Sequence, residues 1–190
     1  MEYGFSEDCI QNVVSLKNAK PYYKDNVFFN KSHSGGYVIC ALSAREEVGI
    51  DIEEKKIVDL QQYKDSFHPT LWQKVLDAEY KFNVFYDTWT QIESVIKGDG
   101  RGMQVPTNTV LVKDGEADLC QNRWYLTKIH IAAEYSCHLA TPSKNPIIEL
   151  IKKEFTWLFL KKITIFKAST ETDHKDQITN GHIQLTLYKY

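Results

Sequence analysis

The stretch 82–97 constrains this chain most. Phe82, Phe85, Trp89, Ile92 and Ile96 recur every three or four positions, the period that gathers apolar side chains on one face of an α-helix. Gly98, Gly100 and Gly102 follow directly and predict a tight turn where the helix ends. A helix this aromatic on one side needs a layer to cover it. Segments of strand character surround it at 37–43, 48–53, 109–113, 124–132 and 135–141. Strands that cluster, rather than alternate strictly with helices, predict an α+β fold. In that fold an antiparallel sheet takes the stripe of Phe85, Trp89, Ile92 and Ile96. The charged turn Arg45-Glu46-Glu47 predicts that 37–43 and 48–53 form a hairpin.

The remaining pattern is weaker. A short helix is expected up to about Lys20, where Pro21 breaks it, and another over 69–76, with Pro69 near its start. Residues 26–30 read as a strand entry and 32–36 as a turn. Beyond Asn145 the chain predicts an amphipathic helix over 147–160 and strands at 163–166 and 182–188.

Composition narrows the function classes. The chain has 190 residues and is 43% apolar, enough for a core without disulfides or structural metal. Lys+Arg number 23 against Asp+Glu 25, a net charge of −2, which argues against a nucleic-acid binder with its basic footprint. No apolar run approaches the length of a membrane span, and the start MEYGFSEDCI lacks the features of a signal peptide. Cys9, Cys40, Cys120 and Cys137 show no metal-site spacing. A cytoplasmic protein with reduced cysteines and no membrane partner is the expectation.

Two acidic clusters carry chemistry. In Gly49-Ile50-Asp51-Ile52-Glu53 the carboxylates are two apart, so on a strand they share a face while Ile50 and Ile52 take the other. Adjacent carboxylates repel unless a cation or a proton sits between them. Glu93 and Lys97 are four apart on the long helix and share one of its faces. A third element, Asn30-Lys31-Ser32-His33-Ser34, precedes both. Singly none of these is specific; their order and spacing are.

Together with Trp89-Thr90-Gln91-Ile92-Glu93-Ser94-Val95-Ile96-Lys97 and the glycine-rich turn 98–103, these motifs resemble the 4′-phosphopantetheinyl transferases of the surfactin-activating type. Ala19-Lys20-Pro21 is similar to a further motif upstream, and Tyr135-Ser136-Cys137-His138-Leu139-Ala140 to the closing strand. The resemblance runs from about Lys20 to Pro142. It implies a lobe over 26–143, with 1–25 as the remnant of a first lobe and linker and 144–190 as a C-terminal extension.

The resemblance also implies an activity. Such enzymes use magnesium to move the phosphopantetheine arm of coenzyme A to a serine of an acyl or peptidyl carrier protein. Asp51, Glu53 and Glu93 would converge to hold the metal. Glu93 and Lys97 would be catalytic. Lys20, Ser32, His33 and Lys97 would bind coenzyme A. Ile92 stands where the family has a lysine, Leu71 where it usually has an acid, and Ala19 where it has a glycine. A second reading is therefore a family remnant with impaired or absent catalysis that serves as a binding or structural module. The resemblance also leaves room for a homo-oligomer in which a second subunit completes the site.

Overall fold

The computed structural model describes residues 13–14, 22–23, 27–154 and 182–189. Two short strands, β1 (Val13–Val14) and β2 (Tyr22–Tyr23), pair antiparallel. Val13 and Val14 are therefore extended rather than helical; the rest of that expected helix, and Lys20, lie outside the described residues. β3 (Phe28–Ser34), β4 (Tyr37–Ser43) and β5 (Gly49–Glu54) follow. After a 3-10 segment, Leu60–Ser66, come α1 (Pro69–Asp77) and α2 (Lys81–Asp99). The remaining strands are β6 (Leu111–Lys113), β7 (Glu116–Leu119), β8 (Asn122–Lys128), β9 (Tyr135–Thr141), β10 (Ile147–Glu154) and β11 (His182–Lys189).

The expected α+β arrangement is present, with two main sheets. One has the order β5-β9-β8-β7-β6 and is antiparallel throughout. The other has the order β10-β11-β4-β3, with β10 and β11 parallel and the other pairs antiparallel. The predicted hairpin does not form. β4 pairs with β3 and β11, and β5 pairs with β9. The reason is burial on both sides of β5, whose residues 49–52 are all buried. Ile50 and Ile52 need an apolar layer behind them, and Ile39 and Ala41 of β4 provide it with Ile183, Leu185 and Leu187 of β11. The chain after β4 thus crosses to a second sheet, and the two strands stack face to face instead of edge to edge.

Other boundaries move for local reasons. Residues 32–34 belong to β3, and the turn is confined to Gly35 and Gly36. β6 starts only at Leu111, because Thr107–Thr109 is a 3-10 turn. β8 runs from Asn122 to Lys128 and stops short of 132. The polar β7 escapes the pattern altogether. Residues 147–154 form a strand, not the start of a helix. Their Ile-rich run fits either period, and the distant β11 supplies the ladder that decides it. Residues 155–160, and the strand expected at 163–166, lie outside the described residues.

α1 begins as its proline suggests: Pro69 opens the helix and His68 Nδ1 accepts from the Thr70 N–H at 3.3 Å. α2 ends at Gly100, whose φ of 84° lies in the left-handed region. The stripe of α2 packs on the five-stranded sheet as expected, chiefly on its far strands and on Ala140 of β9. Phe85, Ile92, Val95 and Ile96 share a core with Phe67, Leu71, Trp72 and Val75, and with Val112, Ala117, Leu119 and Trp124 of the far strands. The Phe85 ring lies 5.1 Å from that of Tyr63 and 5.4 Å from that of Phe67. Over β5 and β9 the helix instead presents Thr90, Ser94 and Gly98. A Cβ on Gly49 would fall on the Ser94 carbonyl oxygen and the Gly98 nitrogen, so helix and strand meet backbone to backbone.

Candidate active site

β5 has two different edges. On one it pairs with β9, placing Asp51 opposite His138 and Glu53 opposite Ser136. On the other its outward amides meet side chains of β3. The Ile50 N–H donates to Asn30 Oδ1 (3.0 Å), the Ile52 N–H to Ser32 Oγ (3.3 Å) and the Glu54 N–H to Ser34 Oγ (3.0 Å). The Asn-x-Ser-x-Ser alternation of β3 sends these three residues to the β5 side. His33, between the serines, is exposed.

The carboxylates lie on the α2 side of β5. Asp51 is 2% exposed. Its Oδ1 accepts from Ser32 Oγ (2.9 Å) and from Lys97 Nζ (2.6 Å), while Oδ2 is buried without a hydrogen-bond partner. Lys97 Nζ also donates to Ser32 Oγ (3.0 Å). Glu53 Oε2 accepts from Ser34 Oγ (2.9 Å). Burial pushes the Asp51 carboxyl above its ordinary range, against the opposing pull of Lys97 and Ser32. Burial likewise raises Glu53, with added repulsion from Asp51. Burial raises Glu93 too, and the charges of Asp51 and Glu53 push it further. Like-charge repulsion among these carboxylates is secondary to desolvation.

The structure joins Ser32, Asp51 and Lys97 by direct bonds, with Glu53 and Glu93 within electrostatic reach. Among the described residues, no three His, Cys, Asp or Glu side chains are gathered into a ready-made metal cluster. The donors do fit a different mode of binding. The orphaned Asp51 Oδ2 and the neighbouring carboxylates are hard oxygen ligands. They suit a cation that takes one or two protein oxygens and fills its shell with water and phosphate, as magnesium commonly does.

Ile92 and Leu71 lie elsewhere. They are 0% and 3% exposed within the aromatic core, where a lysine or an acid would be stranded without water.

A second polar group escaped the sequence reading. Beneath α2, Thr90 Oγ1 lies 2.8 Å from His138 Nδ1 and 3.0 Å from Ser136 Oγ. Ser136 donates to Asp87 Oδ1 (2.5 Å), and Asp87 Oδ2 pairs with Lys128 (2.5 Å). Burial pushes the His138 imidazole down to about 4. Its signal lay in the strand itself: Ser136 and His138 alternate with the apolar Cys137 and Leu139.

Comparison with known proteins agrees with the motifs. The chain is 35% identical over 103 residues to 4′-phosphopantetheinyl transferase gsp of Aneurinibacillus migulanus, covering 52% of this chain and 43% of that one. It is 36% identical over 107 residues to 4′-phosphopantetheinyl transferase Sfp of Bacillus subtilis (strain 168), covering 53% and 47%. With 4′-phosphopantetheinyl transferase HetI of a Nostoc species it shares 25% identity over 140 residues, 72% of this chain and 56% of that one. Among solved structures, holo-[acyl-carrier-protein] synthase (AcpS) of Thermotoga maritima gives a TM-score of 0.42 at 19% identity, over 62% of this chain and 73% of that one. No protein-family model matches. Over about half its length the chain is thus similar in sequence to 4′-phosphopantetheinyl transferases. It spans about half the length of the curated relatives it matches. Among the described residues, no helix is long and apolar enough to cross a membrane.

Proposed function

We propose that this chain transfers the 4′-phosphopantetheine arm of coenzyme A to a serine of an acyl or peptidyl carrier protein, in the cytoplasm and with magnesium. The observation that carries this reading is the buried Ser32–Asp51–Lys97 constellation with its unpartnered carboxylate oxygen. The site residues lie in the lobe 26–143. The extension 144–190 contributes β10 and β11 to the sheet of β3 and β4.

Asp51, Glu53 and Glu93 are the residues that would hold the metal. When bound, magnesium neutralises charge on the pyrophosphate of coenzyme A. Lys97 sets a fixed ammonium at the same place, where a low-dielectric wall strengthens its field. Glu93 accepts the proton of the attacking serine. Burial and the charges of Asp51 and Glu53 raise its pKa, which makes it a stronger base than an ordinary glutamate. The serine oxygen bonds to the phosphorus of the arm. The pyrophosphate P–O bond breaks, and adenosine 3′,5′-bisphosphate leaves with the bonding pair. Ser32 and His33 lie at the end of the site where the nucleotide's phosphates would bind, and Lys20 would supply a further cation. A second subunit of the same chain would complete the site.

Ile92 and Leu71, read from the sequence as signs of decay, sit in the core away from Asp51. Their apolar identity suits the packing of this chain, which favours the enzyme over the remnant. The test is the mass of an apo carrier protein incubated with coenzyme A, magnesium and this protein. The carrier gains the arm, and Asp51→Asn lowers the rate by about 10²–10³. A folded protein that binds coenzyme A but leaves the carrier unmodified sinks the reading in favour of the remnant.

A further inference from the structure

The splice between β3 and β5 runs from side chain i to backbone i+20 in three steps: Asn30 to Ile50, Ser32 to Ile52 and Ser34 to Glu54. Hydroxyl and amide oxygens stand where a neighbouring strand would offer carbonyls. A carbonyl only accepts, whereas a hydroxyl that accepts still has a proton to place. One hydroxyl offers one donor and two acceptor positions. Ser32 uses all three: it accepts from the Ile52 N–H and Lys97 Nζ and donates to Asp51 Oδ1. Ser34 accepts from the Glu54 N–H and gives its single proton to Glu53 Oε2.

We propose that Ser32 and Ser34 are positioning residues: each ties a β5 amide and the preceding carboxylate into one unit, so that Asp51 and Glu53 are presented to ligand as a fixed pair. Phosphate oxygens require donors, and neither hydroxyl has one left. While it holds Asp51, Ser32 serves the nucleotide through Asp51 and Lys97. Lys97, with two of its three N–H groups engaged, keeps one donor for an anion. The register is part of the device. A slip of β3 by one residue would turn Lys31 and His33 toward β5 in place of the serines. Asn30 closes the first rung without touching a carboxylate.

The proposal rests on the transferase reading only for the ligand the pair serves. The test is Mn²⁺ titration of the full chain without coenzyme A, followed by water-proton relaxation. Ser34→Ala is expected to weaken Mn²⁺ binding about tenfold, and Ser34→Thr to recover most of the loss. Asn30→Ala, which removes a rung but no carboxylate contact, should bind within about twofold of the unaltered chain, since a lost rung alone acts on stability. Equal losses in Ser34→Ala and Asn30→Ala, or none in Ser34→Ala, would overturn the positioning role. Crystal structures of the unaltered chain and Ser34→Ala without metal decide it independently. Glu53 should leave its conformer in the variant, and an unmoved Glu53 refutes the proposal. If the unaltered chain takes up no Mn²⁺ while Glu53 moves as expected, the metal-dependent transferase reading falls and the positioning role stands.

Discussion

α2 is covered on two sides by opposite chemistry. On one side Phe85, Ile92, Val95 and Ile96 meet Phe67, Leu71, Trp72 and the far strands in an apolar core. On the other, Thr90, Ser94 and Gly98 meet β5 and β9 through named hydrogen bonds and bare backbone. The apolar side gains stability from area, which is non-directional and tolerates repacking. The polar side holds each atom to a particular partner, and a missing partner there leaves a buried group unsatisfied. The candidate active site grows from the margin of this second side, where Lys97 reaches past β5 to Ser32 of β3 and Glu93 feels the charges of Asp51 and Glu53. Precise placement comes from the side with little apolar area, supported by the side that has most of it.

The largest effect is expected where the two backbones touch. Gly49→Ala would drive a methyl group into the Ser94 carbonyl and the Gly98 nitrogen, and neither can move without shifting α2. Its cost is about 4 kcal/mol or more, and a urea melt should show no cooperative transition. A transition close to that of the unaltered chain would mean that the helix can ride outward cheaply. On the apolar side, Phe85→Ala should cost about 3–5 kcal/mol by the same melt. It removes a fully enclosed ring packed against those of Tyr63, Phe67 and Tyr86. A cost below about 1 kcal/mol would show that the aromatic core collapses to fill the space, and the contrast between the sides would narrow.

The apolar side was the more legible of the two in the sequence. The stripe of α2, its glycine stop and the alternation of β9 follow from periods of 3.6 and 2, and these locate helix and strand. That an antiparallel sheet takes the stripe also followed, but which of its strands meet it did not, because periodicity names a face and not its neighbour. Residues 37–43 and 48–53 read as a hairpin for the same reason: the pattern of β5 does not reveal that both its faces are covered. The pairing of β10 with β11 joins residues as distant as Ile147 and His182, which no local window contains. At the site, the motifs singled out Asp51, Lys97 and Ser32 in separate roles, and the structure bonds them to one another. The third rung of the splice, from Ser34, and the Asp87–Ser136–Thr90–His138 network went unread, since isolated hydroxyls on strands look like solvated positions.

The buried network gives the next effect in size, and it depends on pH. His138 is held neutral by burial, with its pKa lowered to about 4 from an ordinary 6.5. Between those values the unfolded chain binds a proton that the folded chain refuses. The contribution of His138 is thus fully present above pH 6.5 and is lost as pH falls toward 4. The loss between pH 7 and pH 5 is about 2 kcal/mol. His138→Leu should flatten that part of the stability profile, measured by urea melts at both pH values. An unchanged slope in the variant would mean that His138 is charged in the folded protein, with Asp87 as its counterion.

The smallest effect has the opposite sign and separates stability from function at the margin of α2. Burial raises the Glu93 carboxyl above its ordinary 4.5, and the charges of Asp51 and Glu53 raise it further. A raised folded value means that the contribution of Glu93 is complete below pH 4.5 and is lost as pH rises through the folded value. At pH 7 the ionised group therefore opposes folding. Glu93→Gln keeps the shape and removes the charge, so it should stabilise the metal-free protein by up to about 1 kcal/mol at pH 7, a modest figure because water still reaches part of the side chain. Below pH 4.5, where the glutamate is itself protonated, the gain should vanish. Transfer activity should fall in the same variant, since the proton acceptor is gone. A variant less stable than its parent at pH 7 would show that Glu93 is held by favourable contacts, and the margin of α2 would then resemble its polar interior, where every charge has a partner.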